Sequence, residues 1–106
     1  MASAANLDLV LAKVGAFVKK LEGSIHVSDA FLFGSYAKGT ATPESDIDVL
    51  VLSPDFSGDR FEDLLLLMKV RKNIDLRIEP HPFRADVFNE SHPFFQEVKD
   101  SLIRIL

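Results

Sequence analysis

Residues 33–52 read FGSYAKGTATPESDIDVLVL, and the reading of this stretch decides the fold. An apolar run ends at Phe33 and gives way at once to Gly34 and Ser35. Ten residues separate Ser35 from Asp46, which is followed by Ile47, Asp48 and a second apolar run. An extended segment places alternate side chains on one face, so a strand over 46–52 projects Asp46 and Asp48 together. Their Cα atoms then lie about 7 Å apart, at roughly 3.3 Å of rise per residue. Two unit charges at that separation repel by about 2–2.5 kcal/mol at an effective dielectric near 20. Folding alone gains nothing from the arrangement.

Working outward, residues 27–33 read as a strand that delivers the chain to Gly34, and 35–38 as a short helix ended by Gly39. The Thr, Pro and Ser content of 40–45 marks a loop. The upper half of the 46–52 strand is apolar on both faces, which places it centrally in a sheet. Upstream, Leu7, Val10, Leu11, Val14, Phe17, Val18 and Leu21 recur at helical spacing. Asp8 is expected in the first turn of that helix and Lys19 and Lys20 in its last, as the helix dipole favours. Downstream, SPDFSGD at 53–59 is turn material. Phe61, Leu64, Leu65 and Met68 then begin a second long helix, whose added Leu66 and Leu67 predict burial on two sides, with a partner interface as the alternative. A third strand is expected over 74–79 (IDLRIE), ended by Pro80 and Pro82, with Asp75, Arg77 and Glu79 on one face. Short helices over 85–88 and 93–99 and a last strand over 102–106 complete the order. The expected architecture is α/β (α+β): a small mixed sheet of about four strands with helices packed on at least one face.

Composition sets the outer limits. At 106 residues the chain is expected to form a single domain spanning 1–106, able to bury roughly two-thirds of its unfolded surface. Apolar residues make up 47%, which excludes a disordered chain, and the lack of cysteine excludes thiol catalysis and thiolate metal sites. The apolar runs are too short for a membrane span, and the first fifteen residues lack a secretory-signal pattern, so a cytoplasmic protein is expected. A net charge of −4 argues against general nucleic-acid binding but leaves room for a nucleotide held through metal cations.

A divalent cation gives the paired aspartates a reason. Magnesium takes hard oxygen ligands and keeps waters and phosphate oxygens beside one or two carboxylates, so Asp46 and Asp48 suit a magnesium–nucleotide better than a closed metal cage. Gly34 permits close backbone approach to a ligand, the Ser35 hydroxyl adds a donor, and Lys38, one helical turn along, is within reach of a phosphate. His26, His81 and His92 show no ligand-like spacing and read as surface or turn residues.

Gly-Ser, ten intervening residues and Asp-x-Asp between hydrophobic flanks resemble the signature of the DNA polymerase β-like nucleotidyltransferase superfamily. GSYAKGTATPESDIDVLV is most similar to its minimal nucleotidyltransferases, the MNT group. The resemblance implies that Asp46 and Asp48 hold two Mg²⁺ ions and that Gly34 and Ser35, with Lys38, bind the phosphates of a nucleoside triphosphate. A third carboxylate completes such sites as ligand or base. Asp75, flanked by Ile74 and Leu76, is preferred for that role, with Glu79 as the alternative. The implied activity is transfer of a nucleoside monophosphate, AMP from ATP, to a hydroxyl such as a tyrosine on a HEPN-domain partner. The chain would act there as an antitoxin, with a second copy of the chain as a further possible partner. The competing reading is a non-catalytic antitoxin or nucleotide-binding subunit that masks the HEPN protein. Tyr36 stands where members of the group often carry arginine, which leaves Lys38 or Arg77 to contact phosphate.

Overall fold

The computed structural model describes residues 4–106. The stretch without a secretory-signal pattern includes residues 1–3, which lie outside the described residues. The first helix, α1 (Ala4–Leu21), buries Val10, Val14, Phe17, Val18 and Leu21, the stripe expected from its spacing. Asp8 falls beyond the first turn because the helix starts at Ala4, while Lys19 and Lys20 do lie in the last turn. Strand β1 (Asp29–Phe33) leads into α2 (Gly34–Lys38), which Gly39 ends in the left-handed conformation at φ 78°. Strand β2 (Ile47–Ser53), helix α3 (Arg60–Arg71), strand β3 (Ile78–Arg84), helix α4 (Pro93–Val98), a 3₁₀ turn (Lys99–Ser101) and strand β4 (Ile103–Arg104) follow.

The four strands form one mixed sheet in the order β3-β2-β1-β4. Strand β1 runs antiparallel to β2 and β4, and β2 runs parallel to β3. Residues Ile47, Val49 and Val51 of β2 point to the side covered by α1 and α3, where they join Phe17, Leu32, Leu67 and Ile78 in the main core. Leu50 and Leu52 point to the opposite side and pack with Phe33, Phe94 and Val98. The central strand is therefore apolar on both faces because both faces are covered. Asp48 lies on the second side, at the end of the strand that these side chains leave open.

Three further expectations require correction. Strand β3 occupies Ile78–Arg84 rather than 74–79, so Pro80 and Pro82 lie inside it instead of ending it. The sheet tolerates them because β3 is an edge strand. The Arg77 carbonyl accepts from the Ile47 N–H at 2.8 Å, which turns the odd-numbered backbone groups of β3 toward β2. The even-numbered groups face outward, and proline has no N–H to lose there. Arg71 covers part of this edge by donating to the carbonyls of Leu76 and Ile78 at 2.9 and 2.8 Å.

Helix α3, capped by the Asp59 side chain accepting from the N–H groups of Phe61 and Glu62, is buried on one side rather than two. Leu67 and Val70 enter the core, but Phe61, Leu65 and Met68 are exposed along the outer face. The expected helix over 85–88 is instead a turn. No helix among the described residues is long and apolar enough to cross a membrane.

Candidate active site

The β1–α2 junction and the start of β2 meet at one point. Phe33 is the register partner of Asp48, so Gly34 follows directly beside the aspartate. Gly34 has φ +75°, a conformation that disfavours a side chain, and a Cβ added there would overlap Asp48 Oδ2. Two independent constraints thus require glycine. The absent side chain leaves the flank of the carboxylate open.

On the other side of β2, the parallel register sets Asp48 opposite Glu79. Two residues on, His81 projects from the same face of β3, its Nε2 3.4 Å from Asp48 Oδ1. One ligand atom from each of Asp48, Glu79 and His81 can be chosen so that all lie within 4.8 Å of one another. Asp46, exposed just before β2, lines the same cavity as Glu79. Although much of Glu79 is exposed, its carboxyl is pushed above the usual range. Lost hydration is the first cause, followed by the neighbouring Asp46 carboxyl and the charge of Asp48, with His81 opposing them. Among the described residues, no lysine or arginine forms an ion pair with Asp46, Asp48 or Glu79. Hard oxygen donors without an internal counter-charge, beside a position where a Cβ would intrude, fit a divalent cation.

The structure does not bring Asp75 to this group. It lies in the turn between α3 and β3, where its carboxylate accepts from Arg77 Nη2 at 2.9 Å, Arg77 Nε at 3.2 Å and the Arg77 backbone N–H at 2.8 Å. Lys13 Nζ adds a contact at 2.8 Å. The Arg77 guanidinium, helped by Lys13, holds the Asp75 carboxyl well below the usual carboxylate range despite partial burial. The acid that joins Asp46 and Asp48 is Glu79. Proline masks this in the sequence, because Pro80 and Pro82 read as strand terminators while they in fact lie within the strand. The signal available is the period-two spacing of Glu79 and His81, and His81 is the site residue that sequence reading misses.

Ser35 is half-buried in α2 and Lys38 is exposed at its end. Tyr36 is buried, accepting from Arg77 Nη1 and donating to the Thr42 carbonyl, both at 3.3 Å. The Tyr36 ring is thus a core element, and Arg77 is engaged by Asp75 and Tyr36. A cavity of about 330 Å³ adjoins the acids, bounded by Asp46, by Glu79 and His81 of β3 and by Arg60, Leu64 and Met68 of α3. Its size is that of a small-molecule site.

Comparison with known proteins agrees with this fold. Residues 11–103 match the nucleotidyltransferase domain family, and the chain belongs to that family. Its fold is that of the polymerase β-like nucleotidyltransferase core, in minimal form. Among solved structures, the chain is similar to a Sulfolobus solfataricus protein to which nucleotidyltransferase activity is ascribed. The TM-score is 0.69 at 18% identity over 92% of this chain and 80% of the other, a likeness of fold. It is also similar to a chain of a toxin–antitoxin assembly solved with AMP-PNP, with a TM-score of 0.61 at 25% identity over 91% of this chain and 72% of that one. No curated protein matches the sequence significantly.

Proposed function

We propose that the chain, acting as a single domain in the cytoplasm, is a magnesium-dependent nucleotidyltransferase. In this reading it moves AMP from ATP to a hydroxyl, a tyrosine of a HEPN-type partner, and thereby serves as an antitoxin. The observation that carries the reading is the pairing of Asp48 with Glu79 on one sheet face, with Asp46 lining the adjoining cavity, beside a glycine that cannot be replaced without meeting Asp48. The similar toxin–antitoxin assembly solved with AMP-PNP supports both nucleotide and partner.

Asp46, Asp48 and Glu79 would hold the metal, two ions being the expected number, with Gly34, Ser35 and Lys38 contacting the triphosphate. Glu79 thus takes the third-carboxylate role expected of Asp75. A metal held there would neutralise the carboxylates and the phosphate oxygens on which charge accumulates. The acceptor oxygen bonds to the α-phosphorus as the bond to the pyrophosphate oxygen breaks, and the hydroxyl proton passes to a carboxylate of the cluster. The sheet and α3 fix these groups before substrate arrives, which lowers the cost of orientation. The adjoining cavity offers Arg60 and an apolar wall of Leu64 and Met68 to a nucleoside or acceptor.

A second reading keeps the partner and drops the chemistry. It is favoured by the exposed stripe of Phe61, Leu65 and Met68, 71%, 47% and 36% exposed, which a masking subunit would use for contact. The two readings separate when the protein and its HEPN-type partner are incubated with labelled ATP and Mg²⁺. Wild type is expected to label the partner and Asp48→Asn is not. Inhibition of the partner without label from either protein would sink the enzymatic reading.

A further inference from the structure

We propose that His81 is a direct nitrogen ligand of the metal bound by Asp48 and Glu79, and that this makes the site prefer Mn²⁺ and related transition-metal ions over Mg²⁺. The inference rests on the metal-dependent reading above and adds to it the identity of a ligand and a metal preference.

Distance is the first argument. An ion bound at about 2.0–2.2 Å places its ligand atoms no more than about 4.4 Å apart, and neighbouring ones roughly 3 Å apart. The Nε2–Oδ1 separation of 3.4 Å between His81 and Asp48 is close to the neighbouring-ligand value. The full group, within 4.8 Å, needs only small side-chain shifts to close on one ion. As a hydrogen bond, 3.4 Å is long, so the contact is poorly explained as the purpose of the imidazole.

Orientation is the second argument. The Phe33 ring meets His81 edge-on at 4.9 Å and 66°, and Phe94 stacks on it at 6.2 Å and 20°. These rings and the β3 backbone fix the imidazole with Nε2 toward the carboxylates. A histidine serving only as core filler has no need to present nitrogen to two acids on a half-open face, where its side chain is 20% and that of Asp48 23% exposed.

Donor chemistry sets the preference. Magnesium selects oxygen ligands and retains its waters, whereas imidazole nitrogen binds the later divalent ions more strongly along the first transition row. Two carboxylates and one imidazole therefore suit Mn²⁺, Co²⁺ or Zn²⁺ better than two carboxylates alone.

The test uses the full chain titrated calorimetrically with MnCl₂ and with MgCl₂, and pulsed electron paramagnetic resonance of the Mn²⁺ complex. Wild type, His81→Gln, His81→Phe and Asp48→Asn are compared. His81→Phe keeps the packing against Phe33 and Phe94, so at least one variant preserves the fold, which thermal melting checks. Wild type is expected to show ¹⁴N coupling to Mn²⁺ and tighter binding of Mn²⁺ than of Mg²⁺. Both His81 variants are expected to lose that coupling and to bind Mn²⁺ at least about tenfold more weakly. Their Mg²⁺ affinity should change by less than roughly threefold. Asp48-dependent Mn²⁺ binding without nitrogen coupling, or an equal loss for both ions, would overturn the role of His81 alone. Mn²⁺ binding that is absent, or indifferent to Asp48→Asn, would overturn the metal site itself.

Discussion

Two groups of acids lie about β3 and are treated in opposite ways. Asp75, in the turn before the strand, is ringed by cations: Arg77 grips it through two guanidinium nitrogens and a backbone N–H, and Lys13 reaches it from α1. Asp46, Asp48 and Glu79, at the start of β2 and β3, have no lysine or arginine in an ion pair among the described residues. The first acid is held below its usual pKa range and Glu79 is pushed above it. The difference separates a carboxylate that serves the fold from a group that, in the proposed function, is left for a ligand. Satisfied charge fastens the α3–β3 turn. Unsatisfied charge makes the second group the candidate site, whose counter-ion would come from outside.

Asp48→Asn tests this contrast with the largest expected effect. Losing a central ligand removes several kcal/mol of charge stabilisation from the transition state. Transfer activity should therefore fall on the order of a thousandfold, read by label incorporation. Without metal the same change relieves repulsion, and chelator-treated Asp48→Asn should be more stable than wild type by about 1 kcal/mol in urea titration. A metal-free variant less stable than wild type would mean that Asp48 is a structural acid after all.

Gly34 and Gly39 sharpen the comparison within one short helix. Both have positive φ, +75° and +78°, but a Cβ at Gly34 meets Asp48 while at Gly39 it meets open space. Gly39→Ala should cost about 1 kcal/mol from backbone conformation alone and leave Mn²⁺ affinity unchanged. Gly34→Ala should cost about 2 kcal/mol or more and weaken Mn²⁺ binding, because the aspartate must move. Equal behaviour of the two variants in denaturation and calorimetry would remove the proposed tie between Gly34 and the metal.

Asp75→Asn should lower stability by about 1–2 kcal/mol, a figure kept small because Lys13 and Arg77 are 45% and 38% exposed. Transfer activity per folded molecule should stay within roughly threefold of wild type. A hundredfold loss of activity at unchanged stability would return Asp75 to the candidate site.

Much of the fold is legible in the residues themselves. The approach of Gly34 to Asp48 about the β1–β2 corner follows from local signals that agree there: a glycine turn, a Thr/Pro/Ser loop and alternation of acid with apolar residue. The central position of β2 follows from Val49, Leu50, Val51 and Leu52 being apolar on both faces. The third strand is misplaced by local reading because IDLRIE alternates well by itself, and Pro80 and Pro82 look like stops. Only the tertiary fact that β3 is an edge makes them acceptable. The same displacement hides His81, whose link to Asp48 depends on parallel register across 33 residues of chain. Burial of α3 is overestimated because composition cannot show that the outer face of that helix lacks a covering layer.

The smallest expected effect concerns pH, and the two regions should respond with opposite sign. Asp75 has a lowered folded pKa, so its contribution is fully present above the unfolded value of about 3.9 and is lost as pH falls below it. The stability gap between wild type and Asp75→Asn should therefore narrow on acidification below about pH 4. Glu79 has a raised folded pKa, so the metal-free native state keeps a proton that the unfolded chain releases near about pH 4.3. Its stabilising contribution is present below that pH and is lost as pH rises through the folded value. Metal-free wild type should lose stability relative to Glu79→Gln over that rise, by less than about 1 kcal/mol because the residue is largely exposed. Saturating MnCl₂ should abolish this loss, since the ion replaces the proton as counter-charge to Asp48 and Glu79. Parallel pH profiles for Asp75→Asn and Glu79→Gln would show that the two groups are not distinct in charge compensation, and the contrast between them would fail.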